Sequence, residues 1–126
     1  MPFVKVHIPS EIDKSACSSM CKEIRQSLVN VLGISEDHGH VVAYESETTH
    51  RNVHESRDRN FVFVEILMFS GRTDEMKEKL FQRISDIVSR YTGVNEQEII
   101  LNIIESDRNN WAARGGVPFS RVDLEY

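Results

Sequence analysis

Pro2 is a candidate general base, because proline at the start of a chain can present a secondary amine. Its nitrogen becomes that amine only when Met1 is removed, a step that a small second residue generally permits. An apolar pocket and a nearby cation would lower the pKa of the amine toward neutrality, where it accepts protons efficiently. Met-Pro also begins many proteins without a catalytic reason, so Pro2 needs support from other residues.

Arginine suits the binding of a carboxylate beside such an amine, because its guanidinium group donates paired hydrogen bonds. Arg72 precedes Thr73 at a predicted helix start, where a positive charge slightly opposes the helix dipole. A structural preference alone would not select it, so we predict that Arg72 binds substrate; a solvated arginine is the alternative. Arg114, before Gly115 and Gly116, either supplies a second cation or occupies a turn.

Four histidines in the central region raise the question of a metal site. They are His38, His40, His50 and His54. The last two have helical spacing, but residues 45–60 are polar, lack helical apolar periodicity and fix no third ligand. We predict a surface loop with no metal site. Its arginines, Arg51, Arg57 and Arg59, are predicted to be solvated, with Arg57 or Arg59 able to reach a neighbouring subunit.

Bulk properties exclude several classes of partner. The chain of 126 residues is 40% hydrophobic and 28% charged, with a net charge of -5. This charge gives no overall attraction to nucleic acid or an anionic membrane. The longest apolar run, residues 61–69, is too short to span a bilayer, and the amino terminus lacks a secretory signal. We predict a cytoplasmic protein in which Cys17 and Cys21 are small buried residues without a disulfide.

The periodicity of apolar residues predicts two strand–helix–strand units. Residues 3–8 alternate as in a strand, residues 13–32 have helical spacing up to Gly33, and residues 41–44 suggest a second strand. Residues 61–69, 73–92 and 99–104 repeat this order. Each unit should have parallel strands and a right-handed crossover. The predicted fold class is α/β, a four-stranded sheet with two helices on one face.

The two halves align without a gap when one is displaced by 60 residues, which matches Gly33 with Gly93. The shared order of strand, helix, glycine and strand is stronger support for a repeat than the few identities. We therefore predict a single domain, residues 1–126, made of two pseudo-repeats over about 2–48 and 60–108.

Three sequence blocks resemble the tautomerase superfamily, which includes 4-oxalocrotonate tautomerase, macrophage migration inhibitory factor and malonate semialdehyde decarboxylase. They are Met-Pro-Phe-Val-Lys-Val-His-Ile at residues 1–8, Phe-Ser-Gly-Arg-Thr-Asp-Glu-Met-Lys at 69–77 and Glu-Ser-Asp-Arg-Asn-Asn-Trp-Ala-Ala-Arg-Gly-Gly at 105–116. The chain is most similar to long fused bacterial tautomerases related to the decarboxylase. The resemblance implies a tandem βαβ tautomerase fold whose first and third strands are antiparallel, which would place Pro2 near Arg72.

The resemblance also implies roles for individual residues. Pro2 matches the amino-terminal base, Arg72 the arginine that binds the substrate carboxylate, and Trp111 an aromatic wall of the pocket, although Trp111 could equally be a core residue. Asp37 lies at or next to an acidic residue of the decarboxylase, but a turn is its alternative role. Ser70 replaces an additional arginine of the decarboxylase, which weakens the case for decarboxylation.

These residues predict a cofactor-free tautomerase that isomerises small anionic 2-oxo acids or their enols. Decarboxylase-like or hydratase activity is the alternative within the fold, and a non-catalytic trimeric binding protein is the alternative of another class. The strand at 61–69 is apolar on both faces, while helices cover only one face of the sheet. Because a monomer would leave the second face in water, we predict a homotrimer with Pro2 near the subunit interface.

Overall fold

Two strand–helix–strand units follow one another in the computed structural model, which describes residues 1–121. The first contains β1 (Phe3–Pro9), α1 (Lys14–Leu32) and β2 (His40–Ser46), and the second contains β3 (Val62–Phe69), α2 (Asp74–Thr92) and β4 (Ile99–Ser106). A hairpin of β5 (Ala112–Ala113) and β6 (Val117–Pro118) follows. The tandem βαβ prediction is confirmed. The hairpin was not predicted, because two-residue strands are too short to show alternation.

The main sheet has the strand order β2-β1-β3-β4. β1 is parallel to β2, β3 is parallel to β4, and the two central strands are antiparallel. The pairing of the central strands places Phe3 opposite Leu67, so β1 begins where β3 approaches its end. This topology brings the amino terminus to the loop between β3 and α2.

Both helices begin at a side-chain cap and end at a left-handed glycine. The carboxylate of Asp13 accepts a hydrogen bond from the Ala16 amide at 3.3 Å, and the hydroxyl of Thr73 caps α2 in the same way. Gly33 and Gly93 follow the helices with φ values of 69° and 73°, which side chains with a Cβ rarely adopt. The sequence therefore encodes both helix boundaries locally.

The core lies between the helices and one face of the sheet. Alternate side chains of β1 and β3, such as Val6 and Val64, are fully buried against Met20 and Ile24 of α1 and Leu80 of α2. Each such aliphatic side chain contributes roughly 1.5–3 kcal/mol by leaving water. Within residues 1–121, no helix has the length and apolar character needed to cross a membrane.

The other face of the sheet, which we call the open face, carries large apolar side chains in contact with water. Val42, Tyr44, Ile100 and Ile104 are 37–57% exposed there. The centre of the open face is polar, because His7 Nε2 lies 2.7 Å from Glu65 Oε2. The outward side of β3 is thus apolar except at Glu65.

Arg51 is buried, so the prediction that it is solvated was wrong. Its side chain is 8% exposed. Its guanidinium group donates hydrogen bonds to the carbonyl oxygens of Arg59 at 2.9 Å and Phe61 at 2.6 Å, and stacks over the Phe61 ring. The polar composition of the loop did not reveal that the chain folds back around Arg51. Arg57, by contrast, is exposed and pairs with Glu98.

Candidate active site

Three chain segments converge at one end of the sheet. The parallel strands β3 and β4 end together, with Phe69 opposite Ser106, and β1 begins beside them. Pro2 is buried, and its carbonyl oxygen accepts a hydrogen bond from the His40 amide at 3.1 Å. This bond fixes the start of β1 against β2, so the position of the amino terminus is set by the sheet.

The amino-terminal amine is partly shielded from water and lies within electrostatic reach of Arg72. Burial, and to a smaller extent the charge of Arg72, lower the pKa of the Met1 amine from 8.0 to about 6. Both causes act by disfavouring the protonated amine. An amine at this end of the sheet is therefore held largely neutral at pH 7.

Arg72 lies in the turn between β3 and α2 and is partly buried. Gly71, with a φ of 115°, allows this turn, and Arg72 Nη1 donates a hydrogen bond to the Phe69 carbonyl oxygen at 3.4 Å. Burial and then the charge of Arg108 lower the pKa of Arg72, while Glu105 opposes them. The guanidinium group thus remains a cation in a partly desolvated position, where its hydrogen bonds to an anion are strong.

Three aromatic side chains cluster where β3 and β4 end. Phe69 is 3% exposed, and the rings of Trp111 and Phe119 contact it edge-on, with centroids at 5.6 Å and 5.7 Å. Trp111 Nε1 donates a hydrogen bond to Ser106 Oγ at 2.8 Å. Trp111 is partly exposed. One edge of its ring contacts the buried Phe69, and the rest of the side chain is accessible to solvent beside the strand ends.

Arg108 is a second cation in this region that the sequence reasoning did not single out. It follows the end of β4, and its Cζ lies 5.1 Å from the centroid of the Phe69 ring. Its charge acts on Arg72, as the lowered pKa of Arg72 indicates. A comparison of the two pseudo-repeats could have identified Arg108. The corresponding residue of the first repeat, 60 positions earlier, is Thr48, so this position is an arginine only in the second repeat.

The family model described as "Tautomerase enzyme" matches residues 45–114, which is more than half of the chain. The chain belongs to this tautomerase family. It is an enzyme, a tautomerase, and the resemblance found in the sequence is confirmed. A 2-hydroxymuconate tautomerase of Bacillus subtilis is 34% identical over 53 residues, which cover 42% of this chain and 86% of that protein. A probable tautomerase of Bacillus subtilis is 20% identical over 121 residues, 92% of this chain and 95% of the relative.

Solved structures of related fold span nearly the whole tautomerase chain. A symmetric trimer of fused 4-OT has a TM-score of 0.86 at 17% identity, covering 94% of this chain and 96% of the other. A malonate semialdehyde decarboxylase has a TM-score of 0.80 at 15% identity, covering 97% and 98% of the two chains. At these identities the likeness shows the fold alone, the tandem βαβ tautomerase fold.

The remaining predicted site residues of this tautomerase lie in loops. Asp37 is exposed between α1 and β2, and a hydrogen bond from Ser35 is the main cause that lowers the pKa of its carboxyl group. Arg114 is exposed in the turn of the β5–β6 hairpin, with a φ of 51°. Neither is among the groups that shift the pKa of the amine or of Arg72. Their predicted part in substrate binding stays a prediction.

Proposed function

We propose that this tautomerase moves a proton between oxygen and carbon in small 2-oxo acids or their enols, without a cofactor. Pro2 supplies the base after Met1 is removed. The observation that carries the proposal is the lowered pKa of the amino-terminal amine, about 6, in a site that also holds Arg72. An amine of this kind is neutral at physiological pH and can accept a proton.

Removal of Met1 would transfer the free amine to Pro2, which is one residue further into the sheet and is buried. Burial and the charge of Arg72 would therefore act on the secondary amine as they act on the amine of Met1. While Met1 is present, the nitrogen of Pro2 is an amide and cannot serve as a base. Processing of the amino terminus is thus a condition for activity.

Arg72 binds the substrate carboxylate in this proposal and stabilises the charge that develops on the enolate oxygen. Pro2 takes the proton of the enol hydroxyl, the oxygen electron pair forms the carbonyl bond, and the electrons of the carbon–carbon double bond take the proton back from Pro2 at carbon. The proton and electrons balance within the substrate and one amine. Trp111 lines the pocket in this proposal, with its ring held edge-on against the buried Phe69.

Ser70 argues against decarboxylation as the main activity. Its hydroxyl donates a hydrogen bond to Asp107 Oδ1 at 3.3 Å, so a neutral side chain held by a carboxylate stands where the resemblance implies an arginine in the decarboxylase. Membership of an enzyme family likewise argues against a purely structural or binding role. Proton transfer within a 2-oxo acid is therefore the function that the site supports best.

The pH dependence of the processed enzyme tests this proposal. With enols of 2-oxo acids followed by ultraviolet absorbance, kcat/KM should rise with pH, and the midpoint of this rise should lie below the amine pKa of a short free peptide that begins with proline. The sign follows because only the neutral amine accepts a proton, and a lowered pKa keeps it neutral at lower pH. Intact mass should show that Met1 is absent. Full activity of protein that retains Met1, or a midpoint no lower than the amine pKa of that free peptide, would contradict the proposal.

We also propose that the enzyme is a homotrimer assembled through the open face. Large apolar side chains of both edge strands, including Val42 and Ile100, are exposed on the open face on either side of its polar centre. Assembly that takes these side chains out of water would stabilise the protein. Fused 4-OT structures of the same fold are symmetric and asymmetric trimers. Closed assembly of three copies would cover the open face of each.

Sedimentation at micromolar concentration should give the mass of a trimer. Ile100→Asp should shift the protein toward monomer, because it places a carboxylate on the open face at the end of β4 away from Pro2. Gln82→Asp, which adds the same charge to the exposed side of α2, should stay trimeric. A stable monomer of the unmodified protein would refute the assembly.

A further inference from the structure

Ser106, the last residue of β4, forms hydrogen bonds to two parts of the candidate active site. Its carbonyl oxygen accepts a hydrogen bond from the Ser70 amide at 3.2 Å, at the start of the turn that carries Arg72. Its hydroxyl oxygen accepts a hydrogen bond from Trp111 Nε1 at 2.8 Å. One residue thus anchors both the Arg72 turn and the indole ring of Trp111.

Phe69 also connects Arg72 with Trp111. Arg72 Nη1 donates a hydrogen bond to the Phe69 carbonyl oxygen at 3.4 Å, and the ring of Trp111 meets the Phe69 ring edge-on, with centroids at 5.6 Å. The cation and the partly exposed indole therefore lie around the same residue at the end of β3. An acid bound to Arg72 would have its apolar part beside this indole.

The first repeat contains the same pair of hydrogen bonds at Ser46, which is 60 positions before Ser106. The Ser10 amide donates to the Ser46 carbonyl oxygen at 3.0 Å, and Arg51 Nε donates to Ser46 Oγ at 2.9 Å. In both repeats, the strand-end serine accepts a hydrogen bond from the side chain five residues further on. The serine is therefore part of the repeat, and what differs is the side chain that it holds.

The two side chains depend on their serines to different extents. Arg51 is 8% exposed, and its guanidinium group also donates to the carbonyl oxygens of Arg59 at 2.9 Å and Phe61 at 2.6 Å. The indole of Trp111 has a single hydrogen-bond donor, Nε1, which donates to Ser106. The serine hydroxyl is thus one of several groups that orient Arg51, but it accepts the one hydrogen bond that the indole can donate.

The backbone of Trp111 is fixed without the Ser106 hydroxyl. The Trp111 amide donates a hydrogen bond to the Arg108 carbonyl oxygen at 3.2 Å, and the Trp111 carbonyl oxygen accepts one from the Phe119 amide at 2.9 Å. Neither bond involves the side chain of Ser106. The hydroxyl therefore acts on the rotation of the indole ring and not on the path of the chain.

We propose that Ser106 is a positioning residue, whose hydroxyl holds the indole of Trp111 in the orientation that contacts the substrate. The inference rests on the proposed function for the part of Trp111 in substrate binding. Ser106 acts through the ring, while its carbonyl oxygen keeps the Arg72 turn in place. Loss of the hydroxyl weakens the binding of an acid with an apolar part and leaves the proton transfer at Pro2 unchanged.

The fluorescence of Trp111 tests the orientation of the ring, because Trp111 is the only tryptophan of the chain. In Ser106→Ala the indole loses its acceptor, and water can replace it when the ring turns outward. The processed variant without ligand should therefore gain an anisotropy decay on the picosecond to nanosecond timescale of side-chain motion, and acrylamide should quench its emission more strongly. Ser106→Thr keeps a hydroxyl and should match the unmodified enzyme. Ser106→Val, which has nearly the shape of threonine without the hydroxyl, should behave like Ser106→Ala.

Binding of cinnamate, which joins a carboxylate to an apolar ring, tests the consequence without turnover. Calorimetry should show a dissociation constant about fivefold higher for Ser106→Ala, the size expected for one neutral hydrogen bond. On an enol substrate KM should rise by a similar factor, whereas kcat should change by less than about twofold, because the interactions of the transition state with Pro2 and Arg72 are kept. The acidic limb of kcat/KM should stay at the same pH, since the burial of the amine and the charge of Arg72 do not change.

Ser46→Ala is the matched control, because it removes the corresponding hydroxyl of the first repeat. Arg51 keeps its two carbonyl partners, so the emission of Trp111 and the binding of cinnamate should stay as in the unmodified enzyme. Unchanged anisotropy decay in both Ser106→Ala and Ser106→Val would overturn the proposal. So would a mobile ring with unchanged cinnamate affinity, or an unmodified enzyme that does not bind cinnamate. Failure to turn over any enol of a 2-oxo acid would refute only the proposed proton transfer, because fluorescence and calorimetry do not depend on turnover.

Discussion

Replacement of Pro2 by alanine is expected to reduce kcat/KM on an enol substrate by roughly hundredfold or more, the range for loss of a positioned general base. Alanine is also small, so Met1 should still be removed, and the variant isolates the change from a secondary to a primary amine. The primary amine of the variant differs in basicity from the secondary amine of Pro2. It also differs in direction, because no proline ring fixes the nitrogen at the start of β1. The measurement is initial rate by ultraviolet absorbance at several pH values.

Two controls separate a catalytic loss from a structural one in the Pro2→Ala variant. Intact mass must show the same processing as the unmodified enzyme, and sedimentation must show the same assembly. Because the carbonyl oxygen of residue 2 still accepts the hydrogen bond from His40, the start of β1 should stay in place. A rate equal to that of the unmodified enzyme would remove Pro2 from the mechanism.

The fold could be predicted from local signals. Alternation in residues 3–8, the apolar run at 61–69, helical spacing in the two segments that follow, and Gly33 and Gly93 at their ends are each encoded within a short stretch. The structure extends three of the four predicted strands by one or two residues, at Pro9, at both ends of β2 and at Ser106, and it begins β3 one residue later, at Val62. The antiparallel pairing of β1 with β3 came from the resemblance, because periodicity does not specify which strands are neighbours.

The candidate site was predictable only in part. Pro2 and Arg72 stand in recognisable motifs, and the structure brings the amino terminus within reach of Arg72. Arg108 lies in a polar stretch, and its relation to Phe69 depends on the parallel pairing of two strands that are distant in sequence. The burial of Arg51 also depends on contacts with residues further along the chain, because carbonyl oxygens of the loop that folds back over it accept the hydrogen bonds of its guanidinium group. Long-range contacts, rather than composition, decide the environment of both arginines.

Replacement of Arg72 by alanine is expected to cost about 2 kcal/mol or more of transition-state stabilisation on anionic substrates, roughly a thirtyfold loss in kcat/KM. The physical reason is the loss of paired, charge-assisted hydrogen bonds in a partly desolvated site. Arg72→Lys should recover only part of the rate, because an ammonium group lacks the paired donors. Neutral esters of the same substrates should lose much less, and an equal loss on acids and esters would contradict the carboxylate role.

The same variants should change the pH profile in a predictable direction. The charge of Arg72 is the second cause of the lowered amine pKa, after burial. Its removal in Arg72→Ala makes the protonated amine less unfavourable, so the amine pKa rises and the acidic limb of kcat/KM moves to higher pH. Arg72→Lys keeps a positive charge and should move the limb less, while Arg83→Ala on the exposed surface of α2 should leave it in place. An acidic limb that stays fixed in Arg72→Ala would show that the titrating group is not the amine beside Arg72, even if the rate falls as expected.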